Sequence, residues 1–479
     1  MRVLFAASEV APFAKTGGLA DVAGSLPLAL AELGHDVRVV LPRYRRIDPA
    51  RNGLKHAATF YTPLASWRER CDVLVGSMGP VPAWFVNKDI YFDRPELYRT
   101  LAGDYHDNAE RFIFFSRAIP EICRVLDFAP DIIHCNDWQT GLVPLYLKKY
   151  FGHDPLLRKA RTVFTIHNLG YQGIFWQGEL RLTGLGWEDF TPQGIEFWGN
   201  MNFLKAGIVF SDAVTTVSET YSRDIRTAEG GHGLDGVLRH RSRDLYGIVN
   251  GIDTIEWDPA RDRHIAKSFS AARPEGKIAC REALRREVGL PASNQPLFGM
   301  VTRLTDQKGI DILLDAVPAL MGLGCQLVIL GTGDEQYHRK LSDAAHRYRL
   351  QMRVLLTYDD ALARRIYAGS DLFLMPSRYE PCGLGQMHAL RYGSVPLVRR
   401  TGGLNDTVAD FHAAAGTGTG FLFNEYSAGA LTERARQAIK LFHNKQQWKR
   451  LMRNGMEADF SWRTSAQAYE KLYQKILNK

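Results

Sequence analysis

Residues 3–42 read VLFAASEVAPFAKTGGLADVAGSLPLALAELGHDVRVVLP, and this stretch decides the fold. Val3–Ala7 reads as a short buried-type strand. Leu19, Val22, Ala23, Leu26, Leu30 and Leu33 then recur at helical spacing, after the glycine turn Gly17-Gly18 and before a stop at Gly34. Val37–Leu41 is the next strand, and Pro42 ends it. A strand–helix–strand unit needs a crossover, so it implies a parallel sheet with helices on both faces. Pro27 inside the helical pattern predicts a kink there.

The same grammar extends outward. A long apolar helix is expected over Arg111–Leu126. The strand Asp131–Cys135 runs into Asn136-Asp137-Trp138, Thr162–Ile166 into His167-Asn168, and Ala213–Val217 into Ser218. In each case polar residues stand just past the C-terminal end of a strand, the edge at which open α/β sheets bind ligands. Tyr246–Asp258 breaks the rhythm, and 261–276 is polar and irregular. Alternation restarts with strands at Leu297–Val301, Gln326–Leu330, Met352–Leu356, Leu372–Met375 and Val395–Val398, and a helical tail covers Ser461–Leu477. This is an α/β chain of two domains, with a hinge expected near Val249–Asp253 and ligand bound between them.

Composition bounds the function. The 479 residues are 45% hydrophobic and 23% charged, which is ordinary for a globular protein and excludes disorder as the main state. No run approaches the ~18 apolar residues of a membrane span. The N-terminal apolar run is too short for a signal peptide, which points to the cytoplasm. Sixty Lys and Arg against 52 Asp and Glu leave a net charge of +8. The cations are scattered, and the dense clusters Arg43–Arg46 and Arg239–Arg243 carry no interleaved aromatics, which argues against nucleic acid as the partner. Six cysteines show no CxxC pair, which fits a reducing compartment and not a structural zinc site.

Four clusters carry candidate chemistry. In Lys15-Thr16-Gly17-Gly18, glycines at a helix N-terminus present N–H donors and the positive end of the dipole, with a lysine beside them. The hexapeptide Thr16–Asp21 is echoed by Thr401-Gly402-Gly403-Leu404-Asn405-Asp406, again between a strand and a helix. Arg303 and Lys308 sit on one loop after a strand and can neutralise a diphosphate. Glu380-Pro381-Cys382-Gly383-Leu384-Gly385 offers a carboxylate for sugar hydroxyls and backbone N–H groups before a helix; Cys382 reads as a buried small hydrophobe before it reads as a nucleophile. His167 and Asp137 end strands and fit capping as well as catalysis. No metal-ligand spacing stands out. Gly331-Thr332-Gly333 lacks the third glycine of a dinucleotide fingerprint, which excludes a nicotinamide site.

Taken together and in order, these residues resemble the bacterial glycogen synthase and plant starch synthase family. The set also includes Phe203-Leu204-Lys205-Ala206-Gly207 and Val249-Asn250-Gly251-Ile252-Asp253, and it spans nearly the whole chain. The resemblance implies the GT-B fold, two Rossmann-like domains facing each other across a deep cleft. The expected domains are 1–248 on the acceptor side, 249–456 on the nucleotide-sugar side, and a helix at 457–479 packing back on the first. It implies transfer of glucose from ADP-glucose to the non-reducing 4-hydroxyl of an α-1,4-glucan such as glycogen, with retention, releasing ADP and using neither metal nor cofactor.

By position, Lys15 and the Gly18 N–H would meet the donor's phosphate and glucosyl end. Arg303 and Lys308 would grip the diphosphate, joined by the Leu384 and Gly385 N–H groups beside Cys382 and Gly383. Glu380, Asn250 and His167 would contact the transferred glucose, His167 at its 6-hydroxyl or through its carbonyl at the reacting centre. Asp21, Asp137 and Tyr105 would lie toward the acceptor or the hinge. Three positions depart from the family pattern: Gly385 replaces a threonine, His388 stands where the wider superfamily carries a second glutamate, and Thr357-Tyr358-Asp359 replaces a Gly-Tyr pair. The alternatives are a UDP-glucose-preferring relative, a pyridoxal-phosphate phosphorylase of similar architecture, and a non-catalytic glucan-binding protein.

Overall fold

The computed structural model describes residues 1–100 and 103–479. The chain divides into two compact units: Met1–Gly251 with Trp462–Lys479, and Ile252–Ser461.

Among the described residues, the first unit is built on a nine-stranded sheet. In chain order its strands are β1 (Arg2–Ala6), β2 (Asp36–Pro42), β3 (Lys55–Leu64), β4 (Trp67–Met78), β5 (Val81–Asn87), β6 (Ile132–Asn136), β7 (Arg161–Ile166), β8 (Ala213–Thr216) and β9 (Leu245–Gly247). Across the sheet they run β9-β8-β7-β6-β1-β2-β5-β4-β3. Every pair from β9 to β5 is parallel, as the opening stretch implies. The parallel expectation fails at one edge, where β5, β4 and β3 pair antiparallel. The reason is local: Leu64 pairs with Trp67, and a two-residue connection can only reverse the chain. Leu245–Gly247, which overlaps the start of the stretch expected to break the alternation, is the opposite edge strand.

The first helix spans Gly18–Glu32 and runs unbroken through Pro27, which is buried with its apolar face. Its end is a Schellman turn. The Gly34 N–H donates to Ala31 O at 2.9 Å and the His35 N–H to Leu30 O at 3.2 Å, with Gly34 at φ +90°. The helix Trp462–Leu477 also belongs to this unit. Tyr473 OH pairs with His134 Nδ1 at 2.6 Å, His134 Nε2 with Thr165 Oγ1 at 2.6 Å, and Thr165 Oγ1 with Thr215 Oγ1 at 2.5 Å. That buried chain ties the helix to β6, β7 and β8.

The second unit carries a parallel sheet of β10 (Leu297–Val301), β11 (Gln326–Leu330), β12 (Met352–Leu355), β13 (Leu372–Met375), β14 (Val395–Arg399) and β15 (Phe421–Phe423). Its order is β12-β11-β10-β13-β14-β15. Alternation sends Phe298, Leu327, Ile329 and Leu374 into one core layer, and Leu297, Val328, Leu330 and Phe373 into the other. Both faces are covered, which is why these strands read as continuous apolar runs.

Each sheet is built outward in both directions from its first strand. In the first unit β1 lies between β2 and β6; in the second β10 lies between β11 and β13. The crevice beyond the carboxyl ends of β1 and β6, and of β10 and β13, is where such sheets hold ligands.

Candidate active site

The loop after β1 holds the first cluster, and a carboxylate that the motif reading passed over organises it. Glu9 is 4% exposed. It accepts from the Thr16 N–H at 2.5 Å, Thr16 Oγ1 at 2.6 Å, the Gly17 N–H at 3.2 Å and Tyr98 OH at 2.9 Å. The expectation that both glycine N–H groups stand open is therefore corrected: the Gly17 N–H is taken by Glu9, and Gly18 opens the helix. Lys15 Nζ lies 2.6 Å from Asp21 Oδ1, so these two residues form one partly exposed ion pair at the helix start.

Among the described residues nothing requires glycine at 17 or 18. A Cβ at either would meet nothing within 4 Å, and neither residue has a positive φ. The echoed pair differs. A Cβ on Gly402 would stand 1.9 Å from Glu380 O, and one on Gly403 2.2 Å from Cys382 O. The second Gly-Gly is thus imposed by the Glu380–Cys382 loop pressing on it, whereas the first leaves room for something to approach its backbone.

At the ends of β6 and β7, Asn136, Asp137 and His167 form one network. The Asn136 Nδ2 donates to Ala6 O at 3.0 Å, at the end of β1, which leaves its Oδ1 to accept from His167 Nε2 at 2.9 Å. That fixes the imidazole tautomer: Nε2 carries the proton and Nδ1 is an acceptor. Burial lowers the His167 pKa to about 3, so the ring is neutral. Asp137 Oδ1 accepts the His167 N–H at 2.8 Å. Desolvation pushes the Asp137 carboxyl up to about 7; the His167 N–H opposes this and the Glu9 charge adds to it. Asp137 also holds φ +54°, a backbone region costly for a non-glycine residue and common at functional sites.

Asn250 follows β9 and is 6% exposed, and its Oδ1 has no hydrogen-bond partner among the described residues. An unanswered buried acceptor costs about 1–3 kcal/mol, so it suits a ligand hydroxyl. Tyr105 sits differently. Its ring packs against the guanidinium groups of Arg94, at 4.8 Å, and Arg111, at 5.1 Å, within a segment tied to the Glu9 loop through Tyr98.

The second unit places Arg303 and Lys308 after β10, and Glu380 after β13, at its own switch point. Lys308 Nζ contacts Glu380 Oε2 at 2.6 Å, with side chains 15% and 6% exposed. Ser377 Oγ donates to the same oxygen at 3.1 Å. The expectation of two loop cations waiting side by side is therefore refined. Lys308 is paired with Glu380, while Arg303 is exposed, its guanidinium without a hydrogen-bond or ion-pair partner among the described residues. An ammonium has three N–H donors, so the pair leaves Lys308 able to bind an anion as well. The two loops are pinned by the Arg378 N–H to Gln307 O at 2.9 Å, and a Cβ on Gly309 would stand 2.0 Å from Pro376 O. Cys382 is buried; Gly383 takes φ +75°; Leu384 caps the helix that Gly385 opens. His388 stacks on Trp257 at 3.8 Å between ring centroids.

Among the described residues no group of three or more His, Cys, Asp or Glu is arranged to hold a metal ion, and no helix is long and apolar enough to cross a membrane.

Residues 2–240 match the family model for the starch synthase catalytic domain, and residues 281–455 the model for group 1 glycosyl transferases. The chain is 49% identical to a glycogen synthase of Anaeromyxobacter dehalogenans strain 2CP-1, over 99% of both chains. It is 47% identical to one of Geotalea uraniireducens, over 100% of this chain and 99% of the relative. The catalytic domain of starch synthase IV from Arabidopsis thaliana, bound to ADP and acarbose, superposes with a TM-score of 0.92 at 36% identity, covering 100% of this chain and 99% of that one. A sucrose-phosphate synthase from Thermosynechococcus elongatus shares the fold, with a TM-score of 0.61 at 18% identity, covering 100% of this chain and 99% of that one.

Proposed function

This chain belongs to the glycogen and starch synthase family of GT-B glycosyltransferases, and from that membership and the two switch-point clusters we propose the part each residue plays. The protein is a glycosyltransferase that extends an α-1,4-glucan from a nucleotide sugar. The donor is ADP-glucose, and the acceptor is the non-reducing 4-hydroxyl of a glycogen-type chain.

Breaking the anomeric bond leaves negative charge on the departing diphosphate and positive charge on the sugar. In the second unit Arg303 and Lys308 neutralise the first, with the N–H groups around Gly383–Gly385 assisting. Glu380, held by Lys308 and Ser377, accepts hydrogen bonds from hydroxyls of the transferred glucose. In the first unit Lys15 and the Gly18 N–H answer the phosphate and glucosyl end, and Asn250 Oδ1 accepts from a sugar hydroxyl. His167 offers its unprotonated Nδ1 and its carbonyl, and Asp21, Asp137 and Tyr105 serve the acceptor. The acceptor hydroxyl attacks from the face the diphosphate leaves and gives its proton to the departing phosphate, which retains the configuration. No carboxylate nucleophile is needed, unlike retaining hydrolases with two carboxyls about 5 Å apart. The reaction needs no metal and takes place in the cytoplasm.

The observation that carries this reading is the Lys308–Glu380 pair at the carboxyl ends of β10 and β13, with Arg303 on the same loop as Lys308. ADP release is measured from ADP-glucose, with UDP-glucose alongside, with and without glycogen. Release that depends on glycogen and favours ADP-glucose is expected. Arg303→Ala and Lys308→Ala should each lower turnover roughly a hundredfold. Near wild-type turnover in both variants would end the leaving-group assignment.

A further inference from the structure

The segment between β7 and β8 forms a small antiparallel sheet of its own, Ile174–Trp176, Asn200–Asn202 and Glu196–Phe197, with Asn200–Asn202 in the centre. Phe175 pairs with Met201 on its inner face, and Phe175 packs on Trp138, directly after Asp137, at 5.5 Å between ring centroids. The sheet is therefore rooted in the candidate active site.

Its outer face is unusual. Trp176 pairs with Asn200, and Asn200 with Phe197, so indole, amide and phenyl stand in one cross-strand row. Trp176 is 67% exposed. A Cβ on Gly178 would fall 2.2 Å from its Cζ3, so only glycine lets the indole lie against that backbone. Phe197 and Asn200 flank the two-residue turn Trp198-Gly199, in which both φ angles are positive, +52° and +77°. This is a type I′ turn, whose first central position favours Asn, Asp or Gly. A tryptophan fills it instead, 82% exposed. Folding gains little from a large apolar ring placed on strained backbone and left in water. Observed strain of this kind points to function.

We propose that this aromatic row and hairpin tip form a secondary binding surface for the α-1,4-glucan acceptor, holding the chain beyond the residues that react. The chemistry fits a glucan. Pyranose rings expose flat C–H faces that pack on indole, and the ring of hydroxyls around them is answered by an amide such as Asn200. Continuity with Asp137-Trp138 favours the enzyme's own acceptor over an unrelated partner. This inference rests on the glucan-extending reading above.

The test uses Trp198→Asn, Trp176→Ala and Trp198→Phe in the full chain. Glycogen binding is read by retardation in native gels containing glycogen and by KM for glycogen; transfer chemistry is read with maltotriose as acceptor. Trp198→Asn and Trp176→Ala should raise the glycogen KM roughly five- to tenfold and lose gel retardation. Turnover on maltotriose and KM for ADP-glucose should stay at wild-type values, and Trp198→Phe should restore binding. Trp198→Asn should melt no lower than wild type, because asparagine suits the turn; a purely structural tryptophan predicts the reverse. Unchanged glycogen KM and retardation in both variants would overturn the proposal. So would loss of maltotriose turnover, or a change only in self-association measured by sedimentation. If the wild type transferred no glucose yet showed Trp198-dependent retardation in glycogen, the catalytic reading would fail and this one would stand.

Discussion

Glu9 shows how one side chain can order a loop whose function lies elsewhere. Its carboxylate gathers four donors, two from the backbone, and so aims the Lys15–Gly18 turn. Glu9→Ala removes the acceptor and leaves the Thr16 and Gly17 N–H groups without it. Turnover should fall about ten- to hundredfold, read as initial rate with saturating ADP-glucose and glycogen, because a displaced turn misplaces the reacting groups. The motif residues themselves were legible: Lys15, Arg303, Lys308 and Glu380 are charged residues at strand ends, a pattern visible in one dimension. Glu9 was not. In sequence it only interrupts an apolar run, and its role depends on Thr16 and Tyr98 reaching it from seven and 89 positions away. The Asn136–His167 bond was hidden for the same reason, and with it the tautomer that leaves Nδ1 as acceptor.

Among elements, the parallel strands announced themselves because burial on both faces makes them continuous apolar runs of four or five residues. The edge strands did not. Leu245–Gly247 is too short to show a period, and in residues 55–78 exposed positions break the apolar runs of β3 and β4, although Gly79-Pro80 marks the turn from β4 to β5. The helix Trp462–Leu477 was visible as a pattern, but periodicity did not name its partner; only the family resemblance implied the first domain, whose sheet it meets through Tyr473 and His134. That contact gives a pH signature. Burial lowers the His134 pKa to about 3, against 6.5 when exposed. Between these values the unfolded chain binds a proton that the folded one refuses. The His134 contribution is therefore complete above pH 6.5 and is lost as pH falls toward 3. From pH 7 to pH 5 it amounts to about 2 kcal/mol. Urea unfolding at both pH values should show that His134→Gln loses about 2 kcal/mol less stability over this interval than wild type does. Asp137, raised to about 7, acts in the opposite sense, losing its contribution as pH rises toward neutrality, so the comparison must be made against wild type.

At the scale of the whole molecule, the two units use one rule twice: each sheet is built outward in both directions from its first strand, and each collects its charged or polar residues beyond the carboxyl ends beside that strand. The repeated Thr-Gly-Gly-Leu suggested a single device in both halves. The structure separates them, one pair left open to solvent and the other demanded by the Glu380–Cys382 backbone. Transfer driven by Arg, Lys and backbone donors should be indifferent to chelators. Turnover in excess EDTA should match that in buffer alone, measured as ADP release; a loss restored by a divalent cation would show that the cations of the protein do not suffice. One further consequence follows from the chain path. The first unit is interrupted by the second and closed only by Trp462–Leu477, whose Tyr473 completes the Thr215–Thr165–His134 chain. During synthesis the inserted unit emerges whole, while the earlier one must wait on the ribosome for its keystone. Released chains ending before residue 462 should therefore hold one protease-resistant body and leave the other digestible.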